Sequence, residues 1–265
     1  MVGALTQAFD RAKRERRVAF VPYVMAGDPD LGTTDAILTA LSAAGADVIE
    51  LGVPYSDPLA DGPTIAAAGA RALANQTHLQ DVLELAGRRA GDCAPLLLFT
   101  YFNPVYQFGI DNFAARAAAA GAAGAIVPDC ALDESSALRD ALAARGLEMP
   151  LLVAPSTAPQ RAERIADAAT GFVYVVSRLG VTGASKMTDL APLRAQIAML
   201  RAVTPKPLAV GFGVSGPQAI RELAPLVDGV VVGSALIDAY AGSSGDEAAR
   251  RVREFVEPLV AAATR

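Results

Sequence analysis

The sequence predicts a closed (β/α)8 barrel, the TIM barrel fold, and three observations support that prediction. Eight short, continuously apolar segments recur along the 265 residues, and a helical pattern follows each of them. Strands that are apolar on both faces are typical of parallel sheets covered by helices. Eight strand–helix units in roughly 250 residues also match the usual size of this barrel.

The main alternative is an open, doubly wound sheet, which needs no eighth unit. Such a sheet favours a Gly-x-Gly-x-x-Gly turn after its first strand, whereas this chain has Ala26-Gly27-Asp28-Pro29 there. No Pro-, Gly- or Ser-rich linker divides the eight units. We therefore expect residues 1–265 to form one barrel domain.

The elements follow from local signals taken in order. An amphipathic N-terminal helix with Leu5 and Phe9 on one side comes before the first strand, and a short and a long helix follow the eighth. The predicted strands are 18–24, 47–51, 95–100, 124–127, 150–154, 172–176, 208–210 and 229–232. The predicted intervening helices are 33–44, 64–74, 77–90, 111–121, 133–145, 159–168, 191–202 and 218–223, with 101–104 as a turn.

Several helix boundaries rest on specific signals. Thr77-His-Leu-Gln80 has the spacing of a capping box, and Asp111 and Asp133 are expected to be N-caps. Gly62-Pro63 is expected to open the helix after the second strand, because proline is favoured in the first helical turn.

Composition excludes several classes of function. Hydrophobic residues make up 52% of the chain and the net charge is −5, which argues against disorder and against a nucleic-acid partner. The short basic cluster 13–17 is best interpreted as the polar end of a helix. Cys93 and Cys130 have no metal-site spacing and fit a reducing compartment. No signal peptide or membrane span is recognisable, so we expect a soluble, cytoplasmic protein.

The stretch 47–63 contains the first candidate catalytic groups. Glu50 interrupts a buried strand one residue before its end, where desolvation raises a carboxyl pKa and suits the group to proton transfer. Asp61 lies in the loop that follows. Two carboxylates in different environments suit an acid/base enzyme. A solvated strand end and ordinary turn chemistry are the alternative, and from this stretch alone the two interpretations are about even.

Glycines follow the seventh and eighth strands, as expected for a phosphate site. Gly211-Phe212-Gly213 and Gly233-Ser234 let backbone N–H groups approach an anion, and a helix pattern begins directly after the second set. Close packing or turn geometry is the alternative role of such glycines. Two sets on the strands that usually hold phosphate favour a phosphate site by about three to one.

The remaining chemistry is narrowed by what the sequence lacks. His78 is the only histidine and is expected at the surface, and no cluster of metal ligands is present. The lysines are Lys13, Lys186 and Lys206, and none projects from a predicted strand as a Schiff-base lysine would. The loop 177–186 is equally consistent with a lid and with an ordinary solvated loop. Carboxylate proton chemistry on a phosphorylated substrate remains.

The motifs closely resemble one family, the α subunit of tryptophan synthase. They span nearly the whole chain in the right order, and the longest is Glu50-Leu-Gly-Val-Pro-Tyr-Ser-Asp-Pro-Leu-Ala-Asp-Gly-Pro-Thr-Ile65. The other matching segments are 21–23, 26–29, 101–104, 180–183, 211–213 and 233–234. The resemblance implies a (β/α)8 barrel that cleaves indole-3-glycerol phosphate to indole and glyceraldehyde 3-phosphate.

The resemblance also implies roles for individual residues. Glu50 and Asp61 match the catalytic pair, Glu50 moving protons and Asp61 accepting the indole N–H. Cys130-Ala131 departs from the usual Leu-Pro after the fourth strand, which puts the shape of that loop in doubt. The expected substrate-binding residues are Tyr23 and Tyr101 as walls of the indole pocket, Tyr174, Thr182 and Gly183 of the lid, and Gly211, Phe212, Gly213, Gly233 and Ser234 at the phosphate end.

The same resemblance implies the partner. No cofactor or metal is expected in this chain, and pyridoxal phosphate is expected only in a β subunit that docks over the barrel mouth to form an α2β2 complex. A stand-alone indole-3-glycerol-phosphate lyase shares the acid pair and is an open alternative. A different phosphosugar enzyme should lack the 50–61 motif, and a non-catalytic regulatory subunit should have lost an acid.

Overall fold

The computed structural model describes residues 2–177, 190–211 and 213–264, and within them eight strands form one sheet. Nearly all strand residues are buried, as the continuous apolar segments predict. The strands are β1 (Ala19–Met25), β2 (Ile49–Gly52), β3 (Leu96–Phe99), β4 (Gly124–Ile126), β5 (Leu151–Val153), β6 (Val173–Val176), β7 (Leu208–Gly211) and β8 (Gly229–Val232).

The sheet closes into the predicted barrel. Its strand order is β4-β3-β2-β1-β8-β7-β6-β5, and every pairing is parallel. The two ends of this order meet through a parallel bridge between Gly124 of β4 and Glu148, just before β5. The Ala125 N–H donates to the Glu148 carbonyl at 3.0 Å, and the Glu148 N–H donates to the Ala123 carbonyl at 3.1 Å. The (β/α)8 fold is therefore confirmed.

The described residues form helices that surround the sheet, and none of these helices is long and apolar enough to cross a membrane. The predicted N-terminal helix and the predicted short helix after β8 are both present. The helices are α1 (Ala4–Arg14), α2 (Leu31–Ala43), α3 (Pro63–Ala74), α4 (Leu79–Arg88), α5 (Phe102–Phe108), α6 (Ile110–Ala119), α7 (Ser136–Ala143), α8 (Pro159–Ala168), α9 (Ala191–Val203), α10 (Pro217–Leu223), α11 (Ser234–Tyr240) and α12 (Gly245–Ala262).

The segment 101–104, predicted as a turn, instead begins helix α5. Tyr101 is its N-cap residue, and Pro104 occupies the first turn. Backbone N–H groups in the first turn have no partner within a helix, so proline loses nothing at this position. The Phe102 N–H donates to the Asp129 carboxylate at 2.8 Å. Asp129, 27 residues further along the chain, thus supplies an acceptor for the first N–H group of the helix.

Three helix caps also differ from the prediction. The capping box begins at His78 rather than Thr77: the Asp81 carboxylate accepts from the His78 N–H at 2.8 Å, while Thr77 is buried against Gly27. Asp111 lies within the first turn of α6, after Gly109. Asp133 does not cap α7, because its carboxylate pairs with Arg161 and Arg164 of α8. Long-range ion pairs and packing therefore override local cap signals.

Helix α1 closes the N-terminal end of the barrel. Phe9 stacks on Phe172 just before β6, with ring centroids 4.9 Å apart. Gly229 at the start of β8 leaves room for the Phe9 ring, since a Cβ there would lie 2.7 Å from it. Glu148 holds the start of α1: its carboxylate accepts from the Leu5 N–H at 2.6 Å and from the Thr6 N–H and hydroxyl. The extra helix is thus anchored to the seam between β4 and β5.

We expect Glu148→Ala to lower the free energy of unfolding by about 1–3 kcal/mol, because buried N–H donors at the start of α1 would lose their acceptor. Urea denaturation followed by circular dichroism measures the change. Glu163→Ala is the matched control, since Glu163 is exposed on α8 and loses the same carboxylate. An equal loss in both variants would contradict the anchoring role of Glu148.

Candidate active site

A single pocket at the C-terminal ends of the strands gathers most of the predicted site residues. The empty space in it, including the part open to solvent, is about 610 Å³. Strand ends and the loops that follow them supply the lining, as is usual in this barrel. The described lining residues are Tyr23, Glu50, Ala60, Asp61, Ile65, Phe99, Tyr174, Gly213, Val214, Ser215, Val231, Gly233, Ser234 and Ala235.

Glu50 lies at the floor of the pocket, on β2 beside Tyr23 of β1. The side chain is 1% exposed, and no group among the described residues is hydrogen-bonded to its Oε1 atom. Burial without a compensating partner disfavours the charged form and raises the pKa of Glu50 to about 8. Glu50 therefore carries its proton at neutral pH and is ready to act as an acid.

Asp61 lies in the loop between β2 and α3, directly before the N-cap residue Gly62. The Tyr101 hydroxyl donates to Asp61 Oδ1 at 2.8 Å. Burial is the larger effect and raises the pKa of Asp61 above its usual value, and the hydrogen bond from Tyr101 partly offsets that rise. Asp61 thus has a donor that favours its anion and Glu50 has none among the described residues. The two carboxyls are therefore held in different environments.

Two tyrosines enter the pocket through space left by glycines. A Cβ on Gly52 would lie 2.2 Å from the Tyr23 hydroxyl, and a Cβ on Gly211 would lie 2.1 Å from the Tyr174 hydroxyl. Any side chain at either glycine would therefore push a tyrosine out of place. Gly211 does not line the pocket that the described residues form. Its position beside Tyr174 explains why only glycine fits there.

The opposite end of the pocket is formed by the segments after β7 and β8. Gly213 has a φ of +92°, a conformation that residues with a Cβ rarely adopt. Gly233 is the N-cap residue of α11, and Ser234 is its first residue. No arginine or lysine is among the described lining residues. Backbone N–H groups and the hydroxyls of Ser215 and Ser234 are thus the polar groups available to an anion here.

The predicted site residues fall into three groups. Tyr23, Glu50, Asp61, Tyr174, Gly213, Gly233 and Ser234 line the pocket together. Tyr101 and Gly211 lie behind lining residues: Tyr101 contacts Asp61, rather than forming part of the described wall. Thr182, Gly183 and Phe212 lie outside the described residues.

Sequence reasoning missed several apolar walls and one hydroxyl. Phe99 packs edge-on against Tyr23, with ring centroids 5.5 Å apart, and Ile65 of α3 faces the same space. The alternation of inward side chains along a strand could have indicated Phe99 and Val231. Ser215 could have been inferred from its place two residues after Gly213. For Ile65 no local signal distinguishes a pocket wall from ordinary helix core.

No group of three His, Cys, Asp or Glu side chains that could hold a metal occurs in the part of the chain that the structure describes. The described pocket combines a carboxyl with a raised pKa, Glu50, with a second carboxyl that accepts a hydrogen bond from a phenol, Asp61. It also has apolar walls and an end lined by backbone amides. This set suits proton transfer on an apolar, phosphorylated substrate.

Comparison with known proteins agrees with the family that the sequence motifs resemble. The family model described as tryptophan synthase alpha chain matches residues 9–264. The chain is 48% identical to a tryptophan synthase alpha chain of Picosynechococcus sp., covering 97% of each protein. It is 47% identical to that of Gloeobacter violaceus, covering 97% of this chain and 94% of the relative.

Solved structures agree with the sequence relatives. A structure of Mycobacterium tuberculosis tryptophan synthase superposes with a TM-score of 0.92 at 36% identity, over 100% of both chains. The alpha subunit from Legionella pneumophila superposes with a TM-score of 0.89 at 32% identity, over 99% of this chain and 98% of that one. The similarity thus covers the whole barrel, including every segment that lines the pocket.

Proposed function

Because the chain belongs to the tryptophan synthase alpha chain family, which cleaves indole-3-glycerol phosphate in tryptophan biosynthesis, we propose that Glu50 and Asp61 are its catalytic acid–base pair. The observation that carries this proposal is the meeting of two carboxyls of different environment in one pocket. One is buried with its pKa raised to about 8, and the other accepts a phenol hydrogen bond. Such a pair can divide acid and base roles at neutral pH.

The proposed reaction starts with Glu50. Its carboxyl proton is transferred to C3 of the indole ring, and the ring becomes a cationic indoleninium. Asp61 accepts a hydrogen bond from the indole N–H and stabilises the positive charge as it develops. An anionic Asp61 is required for this, which agrees with the donor that it receives from Tyr101.

The carbon–carbon bond then breaks. Glu50, now a carboxylate, removes the proton of the hydroxyl on the carbon attached to C3. That carbon becomes the aldehyde of glyceraldehyde 3-phosphate, and the bonding pair returns to the indoleninium to give indole. Glu50 recovers its proton, so the cycle is balanced without a metal or cofactor in this chain. The apolar walls Phe99 and Tyr23 exclude water from the indole.

We propose that the phosphate is bound at the other end of the pocket, by backbone amides near Gly213 and Gly233 and by Ser234. Ser215 adds a second hydroxyl there. The absence of arginine and lysine from the described lining leaves amides and hydroxyls to carry the binding. Phe212 would contribute to the same end, and Thr182 and Gly183 would close over the substrate. These three roles rest on the family resemblance.

A glycerol-phosphate analogue should raise the melting temperature of the wild-type chain, and Gly213→Val should abolish that shift. The reason is that a β-branched residue strains a backbone held at φ +92° and displaces the nearby amides. Thermal unfolding with and without the analogue measures both effects. Gly216→Val is the control, because Gly216 has φ −170° and open space around its Cβ position. An undiminished shift in Gly213→Val would place the phosphate elsewhere.

Proposals about the wider setting follow from the family. The partner would be a β subunit carrying pyridoxal phosphate, in an α2β2 complex, docked over the mouth of the barrel. We also propose that residues 1–265 act as one domain. Cys93 and Cys130 are free thiols, which is consistent with the proposed cytoplasmic location.

The direct test is to supply indole-3-glycerol phosphate to the chain mixed with a tryptophan synthase β subunit, in the absence of serine. Indole and glyceraldehyde 3-phosphate should appear in equal amounts, and chromatography measures both products. Turnover that persists after both Glu50 and Asp61 are replaced by their amides would overturn the assignment of the acid pair.

A further inference from the structure

We infer that Tyr101 is a positioning residue that orients Asp61 and favours its anion, rather than a wall of the indole pocket. This inference deepens the proposed function and rests on the proposed role of Asp61. It begins with the location of the phenol. Tyr101 is 2% exposed and does not line the pocket that the described residues form. Its hydroxyl reaches the catalytic loop from behind.

The direction of the hydrogen bonds is fixed by the backbone. The Ala60 N–H donates to the Tyr101 oxygen at 3.0 Å. A phenol has only one proton to donate, and that proton points at Asp61 Oδ1, 2.8 Å away. The Tyr101 hydroxyl therefore accepts a hydrogen bond from Ala60 and donates one to the next residue, Asp61. This arrangement favours the anion of Asp61 and leaves Oδ2 for the indole N–H.

The phenol itself is held from two sides. The Tyr55 ring lies against the Tyr101 ring, with centroids 5.3 Å apart and planes inclined by 31°. Tyr101 is also the N-cap residue of α5, whose first N–H donates to Asp129. The tilted ring contact with Tyr55 and the start of α5 thus both limit movement of the phenol away from Asp61. A donor held in this way orients the carboxylate of Asp61, which lies in a loop rather than on a strand.

Several titratable groups lie near Asp61, and they differ in charge at neutral pH. Tyr23 from β1 and Glu50 from β2 share its pocket, and Asp129 beyond β4 acts on Tyr101. Glu50 is neutral at pH 7, because its own pKa is raised to about 8. Burial and the charge of Asp61 raise the pKa of Tyr101 above its usual range, so the phenol stays protonated. Among the described residues, Tyr101 is the group hydrogen-bonded to the Asp61 carboxyl.

The test is the pH profile of indole release by the chain with a saturating β subunit. Tyr101→Phe should lower kcat about tenfold, with KM for indole-3-glycerol phosphate nearly unchanged, because a hydrogen bond to a charged group is lost. Without that donor the pKa of Asp61 rises, so its anion is lost at a higher pH. The acidic limb of kcat should therefore move to higher pH, and the loss should be largest on the acidic side.

Two further variants of the chain serve as controls for the pH profile of Tyr101→Phe. Placing 3-fluorotyrosine at position 101 preserves shape and strengthens the donor, so the acidic limb should move to lower pH. Tyr55→Phe removes a phenol hydroxyl one ring away and should leave the limb at the wild-type pH, whatever its effect on rate. Circular dichroism melts identify any variant that has lost the fold.

The outcomes distinguish an error in the role of Asp61 from an error in the role of Tyr101. If Asp61→Asn turns over normally, the proposed function is wrong. If Asp61→Asn is inactive while the Tyr101→Phe limb stays in place, only the positioning role of Tyr101 is overturned. A uniform loss at all pH values, with a lowered melting temperature, would assign Tyr101 a purely structural role and would also overturn the inference.

Discussion

Glu50→Gln is expected to reduce indole release by about 10²–10⁴-fold while the fold and substrate binding are retained. The amide has nearly the same shape but cannot deliver a proton to C3 or remove one from the glycerol hydroxyl. A buried, uncharged Gln also costs no more to desolvate than the neutral carboxyl that it replaces. Steady-state kinetics with a saturating β subunit, and analogue binding by thermal shift, measure the two quantities separately.

The companion variant is Asp61→Asn, which keeps a group that can contact the indole N–H but loses its negative charge. Its loss should fall mainly on kcat, since the positive charge develops after binding. In the wild type, kcat should fall as the pH rises through about 8, because Glu50 must be protonated to act on C3. That basic limb should be absent from the residual activity of Glu50→Gln. Near-wild-type indole production by either variant would contradict the assignment.

The isolated chain is expected to be a poor enzyme whose cleavage rate rises steeply on titration with a β subunit. The loop 54–62 carries Asp61 and presents Leu59, whose side chain is 80% exposed and is available to a partner. Docking of the proposed β subunit would cover Leu59 and fix this loop. Indole release and complex mass, followed in the same titration, measure activation and docking together.

Matched variants separate docking from activation. Leu59→Asp should weaken the complex about tenfold or more, because a charge would be buried in the interface. Val2→Asp is the control, since Val2 is 58% exposed beside α1 at the opposite end of the barrel. Thr182→Val should reduce activation more than docking, because it would remove the hydroxyl of the proposed lid residue and preserve its shape. Full activity in the isolated chain without a complex would favour a stand-alone lyase.

The agreement between sequence and fold is greatest where the information is local. Continuous apolar segments place all eight strands, because a strand buried on both faces cannot tolerate polar residues along its length. Glu50 is visible in the sequence for the same reason, as a carboxylate that interrupts the apolar part of such a segment. Gly62-Pro63 likewise marks the start of α3 correctly, since capping and the fixed proline φ are properties of adjacent residues.

Predictions fail where distant residues compete for the same group. Asp133 has the local chemistry of an N-cap, yet two arginines of α8 take its carboxylate. Thr77 has the spacing of a capping box, yet it is buried against Gly27. Gly211 and Gly213 look equivalent in the sequence, but one makes room for Tyr174 and the other has a positive φ beside the pocket. Such differences depend on contacts that no short window of sequence contains.

The sequence by itself determined the barrel and predicted the acid pair and the phosphate end, because each depends on residue type at a strand or at its end. Only the tertiary structure decided how the two acids differ. Glu50 keeps its proton because neighbouring strands enclose it, and Asp61 meets the Tyr101 phenol because β3 delivers that ring 40 residues further along the chain. Burial and hydrogen-bond direction set protonation, and both arise only when the barrel closes.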